Sequence, residues 1–110
     1  RIDVGFPLEY RYVRGDDLWL SMDEGGDRAA ISVHRSAAFD YRPLFDVVEP
    51  IFWKYGGRPH WGKVHSLGYR ELKALYPRFA DFCALRAEFD PEGRFLNDHL
   101  RHLFLDPEVA

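Results

Sequence analysis

Near its start the sequence reads Ile2-Asp3-Val4-Gly5-Phe6-Pro7-Leu8-Glu9-Tyr10-Arg11-Tyr12-Val13, and this stretch indicates the fold class. β-Branched and aromatic residues alternate in it with polar ones, which is typical of an extended strand. Pro7 predicts a break or an edge, because proline has no backbone N–H for a ladder. Turn signals follow at 14–17 and 23–27, so that 18–22 and 29–34 are predicted to be further extended segments. The opening part of the chain is therefore predicted to be an antiparallel meander.

The remainder of the chain shows helical spacing of its apolar residues. A helix is predicted over about 41–55, with Asp40 as its cap, Pro50 as a kink or division, and Gly56-Gly57 as its stop. Residues 58–65 are predicted to be extended, and shorter helices are predicted at 69–75 and 97–105. Together the segments predict an α+β fold in a single domain, with an antiparallel sheet covered by helices.

A further helix is predicted to begin around Pro77, because proline suits a first helical turn, and to end at the turn signal Asp90-Pro91-Glu92-Gly93. Its predicted core face is lined by apolar side chains, namely Phe79, Phe82, Leu85 and Phe89.

Composition limits the class of protein. With 110 residues and 46% apolar side chains, the chain can form one core. The net charge of −3 leaves no basic surplus for a phosphate backbone, so no nucleic-acid partner is expected. The single cysteine, Cys83, excludes an intrachain disulfide. Because the chain begins with Arg1, we expect an excised piece or a processed product.

Glu9 and Arg11 are the first candidates for chemistry, since alternation places them on the same face of the strand. A carboxylate beside a guanidinium fixes its orientation and leaves N–H donors for an anion or a developing negative charge. An exposed ion pair of little energetic weight is the alternative.

The segment Gly56-Gly57-Arg58-Pro59-His60-Trp61-Gly62-Lys63-Val64-His65 is the least ordinary of the chain. If it is extended, Trp61, Lys63 and His65 face one way, and Lys63 is suited to polarise a substrate oxygen. The alternative is a surface strand with a packed tryptophan and a lysine whose stem lies along the protein.

Other candidates carry weaker signals. His99 and His102 share a helix face and could form a metal site with His60 or His65. Cys83 falls on a predicted core face, which suits a small apolar residue better than a nucleophile. His34 alternates with Ser32 and either lines a pocket or is a packed histidine.

Ordered blocks of the sequence resemble the C-terminal domain of the sugar-1,4-lactone oxidases, the vanillyl-alcohol-oxidase-type flavoproteins that include D-arabinono-1,4-lactone, L-gulono-1,4-lactone and alditol oxidases. The blocks are Phe6-Pro7-Leu8-Glu9-Tyr10-Arg11, Asp16-Asp17-Leu18-Trp19-Leu20-Ser21, the H-W-G-K motif at 60–63, Leu75-Tyr76-Pro77-Arg78-Phe79 and Asp90-Pro91-Glu92-Gly93-Arg94-Phe95-Leu96-Asn97. They extend over nearly the whole chain.

The resemblance implies oxidation of a sugar lactone or polyol by hydride transfer to FAD, which oxygen or another acceptor reoxidises. It assigns catalytic roles to Glu9, Arg11 and Lys63: Arg11 stabilises negative charge, Glu9 holds Arg11, and Lys63 hydrogen-bonds the reacting hydroxyl. It also implies substrate contacts for His34 and Trp61, and cofactor contacts for His60 and Asn97.

The resemblance further implies a partner, because the FAD-binding domain of this family is absent from the sequence. We therefore expect the isolated chain to bind no FAD, to be inactive, and to expose an apolar face that favours self-association. A binding or assembly module that retains the fold without catalysis is the alternative function. A cytoplasmic location is the default expectation, with membrane association possible by family analogy.

Overall fold

Two strands and four helices follow one another in the computed structural model, which describes residues 5–109. The elements, in chain order, are β1 (Glu9–Val13), β2 (Arg28–Ser32), α1 (Arg42–Lys54), α2 (Tyr69–Leu75), α3 (Phe79–Phe89) and α4 (Asp98–Phe104). They confirm the predicted small single-domain α+β class. Within it are two compact units: the first unit comprises residues 5–17 and 23–57, and the second unit comprises 18–22 and 58–109.

The sheet of the first unit is a two-stranded antiparallel ladder. Tyr10 pairs with Ile31 and Arg11 with Ala30. Because side chains alternate along a strand, Tyr10 and Tyr12 share one face, where their rings meet edge to face at 5.4 Å between centroids. The predicted strand is confirmed over Glu9–Val13, whereas its first residues, 2–4, lie outside the described part of the chain.

The predicted strand at 18–22 is wrong. The backbone turns there, with the Ser21 N–H donating to the Leu18 carbonyl at 3.2 Å. The carbonyls of Leu20 and Ser21 accept hydrogen bonds from side chains of the second unit instead of from a neighbouring strand. The predicted meander is therefore a two-stranded hairpin.

Helix α1 begins and ends close to its predicted bounds. Its first residue is Arg42, whose backbone N–H donates to Asp40 Oδ1 at 3.1 Å. Asp40 therefore caps a backbone N–H of the helix, although Tyr41 occupies the N-cap position itself. The helix passes through Pro50 without being divided. Gly56 adopts φ +67°, and the Gly57 N–H donates to the Phe52 carbonyl at 2.8 Å, which is the Schellman ending that the glycine pair predicts.

The second unit contains a core of five buried side chains, Leu67, Leu72, Tyr76, Phe79 and Leu103. Phe79 stacks on Phe104 with 5.8 Å between ring centroids. The predicted core face of α3 is correct only at its start, since Leu85 is 42% and Phe89 81% exposed. Pro77 precedes α3 rather than lying in its first turn. Across residues 5–109, no helix has the length and apolar character needed to cross a membrane.

The loop after α3 is organised by the buried carboxylate of Asp90. Its Oδ1 accepts the Arg94 N–H at 2.8 Å and its Oδ2 accepts the Phe95 N–H at 3.0 Å. These hydrogen bonds, first that from Phe95 and then that from Arg94, lower the pKa of Asp90 from its ordinary value of 3.8 and outweigh the opposing effect of burial. The ionised carboxylate thus stabilises the loop that leads into α4.

The lowered pKa of Asp90 predicts an acid-dependent loss of stability. The contribution is fully present above 3.8, the ordinary value, and is lost as the pH falls through the lower pKa of the folded state. Asp90→Asn is expected to lower the melting temperature at neutral pH. In this variant the melting temperature should also fall less steeply as the pH drops below 3.8. Thermal unfolding followed by circular dichroism across the acid range measures both effects. The exposed Asp81→Asn is the control, and equal acid sensitivity of Asp90→Asn and the parent chain would contradict the assignment.

Candidate functional site

Three predicted site residues meet in the first unit around the carboxylate of Glu9. Glu9 Oε1 forms an ion pair with Arg11 Nη2, as the strand alternation predicts. Glu9 Oε2 lies 3.7 Å from His34 Nε2. Each carboxylate oxygen therefore has its own cationic or potentially cationic neighbour.

The strand register explains this cluster. Glu9 pairs with Ser32 across the ladder, and His34 follows Ser32 by two residues. The sequence pattern identified Glu9 and Arg11 because they are close along the chain. It did not predict that His34 lies near Glu9, because that proximity depends on which residues of the two strands are paired.

The cluster is open to solvent. The Arg11 side chain is 68% exposed, and those of Glu9 and His34 are 39% and 44% exposed. A guanidinium held by one carboxylate retains N–H donors that can bind an anion. An ion pair in solvent contributes little stability.

The H-W-G-K motif at 60–63 forms a turn, and the predicted extended conformation of 58–65 is wrong. The Lys63 N–H donates to the His60 carbonyl at 3.1 Å, and His60 Nδ1 accepts the Gly62 N–H at 3.0 Å. These local hydrogen bonds replace the ladder that a strand requires. The expected shared face of Trp61, Lys63 and His65 is therefore absent.

Trp61 is a packing residue of the second unit. Its indole N–H donates to the Leu20 carbonyl at 2.7 Å. Its ring lies 5.2 Å from that of Tyr76 and 5.7 Å from that of Phe104, measured between centroids. Arg58 supports the same region by donating to the Ser21 carbonyl at 3.2 Å. The packed tryptophan considered from the sequence is thus observed, while the exposed Lys63 next to it is presented by the turn.

Asn97, the other cofactor candidate of the second unit, caps a helix. Its Oδ1 accepts the Leu100 N–H at 2.8 Å at the start of α4. The side-chain oxygen of Asn97 is thus engaged at the helix start. His60, the remaining cofactor candidate, is exposed and accepts a hydrogen bond at Nδ1 in the motif turn.

The histidines considered as metal ligands are only partly brought together. The rings of His65 and His99 lie 6.3 Å apart between centroids, and His65 Nδ1 accepts the Leu67 N–H at 3.2 Å. Within residues 5–109, no three or more His, Cys, Asp or Glu side chains are grouped to hold a metal ion.

Cys83 lies at the edge of the core, as predicted. Its thiol is within 3.7 Å of the Phe104 carbonyl, and burial raises its pKa. A raised pKa lowers the thiolate fraction and hence the nucleophilicity of the side chain.

Comparison with known proteins gives matches over nearly the whole chain. Residues 1–103 match the family model of D-arabinono-1,4-lactone oxidase. An L-gulono-1,4-lactone dehydrogenase of Mycobacterium tuberculosis is 39% identical over 102 residues, which cover 93% of this chain and 24% of that protein. An L-gulonolactone oxidase of Scyliorhinus torazame is 39% identical over 108 residues, covering 90% of this chain and 23% of that protein.

An alditol oxidase of a Streptomyces species is 41% identical over 98 residues, covering 86% of this chain and 23% of that protein. The chain thus spans about a quarter of the length of these relatives.

Trp61 and Lys63 of the H-W-G-K motif are predicted to differ in how much each contributes to the stability of the fold. Trp61→Phe loses the hydrogen bond to the Leu20 carbonyl and part of the ring packing, which should destabilise the fold by at least about 1 kcal/mol. Lys63→Ala should change stability by less than about 0.5 kcal/mol, because the side chain is exposed. Urea unfolding of both variants measures the difference. A larger loss for Lys63→Ala than for Trp61→Phe would refute this division of roles.

Proposed function

Because the chain belongs to the D-arabinono-1,4-lactone oxidase family, we propose that it is the substrate-side domain of an FAD-dependent oxidoreductase that oxidises a sugar-1,4-lactone or an alditol. The observation that carries the proposal is the guanidinium of Arg11, which Glu9 holds on an exposed strand. Oxidase and dehydrogenase relatives acting on gulonolactones, and an alditol oxidase, support the reaction class.

FAD supplies the hydride acceptor of this reaction, and oxygen or another acceptor takes the electrons onward. The chain's own residues provide charge and hydrogen bonds. Arg11 stabilises negative charge on the reduced cofactor or on the substrate oxygen. Glu9 keeps the guanidinium oriented, since its Oε1 is bonded to Arg11. Lys63 would hydrogen-bond the substrate hydroxyl and stabilise its oxygen, while the hydroxyl proton passes to solvent water and the hydride from the same carbon passes to the cofactor.

Each of these side chains has the chemistry that its proposed role requires. Arg11 and Lys63 are exposed cations, as stabilisation of an anionic group requires. His60 and Asn97 offer further polar contacts to the cofactor. The sequence contains no G-x-G-x-x-G motif to hold a pyrophosphate, so we assign most cofactor binding to a separate FAD-binding domain.

The first unit offers this partner domain an apolar surface. Tyr10, Tyr12 and Ile31 share the sheet face opposite Glu9 and Arg11, and they are 57%, 88% and 44% exposed. A two-stranded sheet with an open apolar face is marginally stable alone. We therefore propose that further parts of the enzyme cover this face, and that in their absence it supports self-association.

Loss of either proposed catalytic cation should abolish most turnover. In the chain joined to its FAD-binding domain, Arg11→Ala is expected to lower kcat by about 10²–10³-fold, the usual effect of removing one charge-stabilising donor. Lys63→Ala should lower kcat by about 10²-fold or more, since it removes the contact to the reacting hydroxyl. Steady-state oxidation of several sugar lactones and alditols measures both effects and identifies the preferred substrate.

Arg94→Ala is the matched control, because Arg94 forms an exposed ion pair with Glu92 at the same spacing as Arg11 with Glu9. Its kcat should equal that of the parent enzyme. Unchanged turnover in both Arg11→Ala and Lys63→Ala would reject the site.

The isolated chain is expected to be colourless and inactive. Because we assign most cofactor binding to a separate FAD-binding domain, the chain alone should retain no flavin. Purification of the chain with excess FAD, followed by desalting and a visible absorption spectrum, measures retained flavin. A stoichiometric flavin band would show that the chain alone is sufficient for binding.

A further inference from the structure

The turn that carries Lys63 is attached to the second unit by two side chains. The Trp61 indole N–H donates to the Leu20 carbonyl at 2.7 Å, and Arg58 Nη1 donates to the Ser21 carbonyl at 3.2 Å. The two donors lie three residues apart, and their acceptors are adjacent carbonyls of the chain. One attachment leaves a segment able to pivot, whereas two attachments determine its orientation as well as its place.

The Arg58 guanidinium is also supported by the core. Its central carbon lies over the Tyr76 ring, 4.7 Å from the centroid, and Tyr76 is fully buried. A planar guanidinium can lie over an aromatic face while its N–H groups point toward an acceptor. The buried ring therefore helps to hold Arg58 where it reaches the Ser21 carbonyl.

A short and stiff stretch of backbone connects Arg58 to Lys63. Pro59 follows Arg58, and its ring fixes one backbone dihedral angle. The turn then closes, because the Lys63 N–H donates to the His60 carbonyl at 3.1 Å and the Gly62 N–H donates to His60 Nδ1 at 3.0 Å. A displacement of the backbone at Arg58 therefore also moves the backbone at Lys63.

We propose that Arg58 is a positioning residue, which acts on the reaction by holding the turn from which Lys63 reaches the substrate hydroxyl. This inference rests on the proposed function, in which Lys63 contacts that hydroxyl. The Lys63 side chain is exposed, so its direction depends on the backbone that carries it. Because the ammonium lies at the end of a four-carbon stem, a small rotation of the turn displaces it from the reacting atoms.

Two variants of Arg58 test this role in the chain joined to its FAD-binding domain, with kcat expressed per bound flavin so that unfolded enzyme is not counted. Arg58→Ala is expected to lower kcat about tenfold and to change KM by less than about threefold, because a displaced donor affects the transition state more than binding. Arg58→Lys should retain more of the parent's kcat, since an ammonium can still donate to the Ser21 carbonyl. A kcat of Arg58→Ala equal to that of the parent, or equal losses in both variants, overturns the proposal.

A double-mutant cycle shows whether Arg58 acts through Lys63. In the Lys63→Ala background, Arg58→Ala should lower kcat by less than about a further twofold, because no donor is left to be displaced. Losses that multiply would mean that Arg58 acts by another route, and the inference would then be wrong.

Arg78→Ala is the matched control. The Arg78 guanidinium lies over the Trp19 ring, 4.5 Å from its centroid, so this variant also removes a contact between a guanidinium and a ring in the second unit. Its kcat should match that of the parent within about twofold, whatever stability it loses in urea unfolding. A tenfold fall in the kcat of Arg78→Ala would show that any loosening of the second unit lowers turnover, which contradicts a specific role for Arg58.

The proposed function and this inference fail in different ways. If Lys63→Ala retains full turnover, the proposed role of Lys63 is wrong and the inference is wrong with it. If Lys63→Ala loses turnover while Arg58→Ala retains the parent's kcat, only the role of Arg58 is wrong.

Discussion

The register of one antiparallel pair determines most of what the first unit can do. Pairing Tyr10 with Ile31 places the aromatic side chains on one face of the ladder and the Glu9 and Arg11 side chains on the other. The same register brings the segment after Ser32 to Glu9, where His34 lies. A slip by one residue would exchange the two faces and remove this cluster. The grouping of these charged side chains in the first unit is therefore a consequence of backbone pairing.

In the second unit, one motif contains both a packed side chain and an exposed one, two residues apart. The Trp61 indole is fixed by the Leu20 carbonyl and by aromatic packing, whereas Lys63 is carried on the turn that follows. The motif thus combines a structural anchor with an exposed cation.

Features encoded within a few residues could be predicted from the sequence. The Glu9–Arg11 pair follows from alternation, and the end of α1 follows from the glycine pair. Features that depend on distant residues could not. Apolar residues at 18–22 resemble a strand, yet they serve the packing of the second unit, where Arg78 lies over the Trp19 ring at 4.5 Å. Apolar spacing likewise does not reveal that the end of α3 is exposed.

Spacing alone does not distinguish a site from a surface ion pair. Glu92 and Arg94 stand two apart, as Glu9 and Arg11 do, and form the same kind of contact. Glu92 and Arg94 lie in a loop that Asp90 organises through backbone N–H groups. Glu9 and Arg11 lie on a regular strand whose opposite face is apolar and exposed, and they have His34 beside them. A strand with one apolar face is normally packed on that face, which leaves the charged face accessible from solvent. This two-faced context, rather than the pair itself, supports the assignment of Arg11 to chemistry.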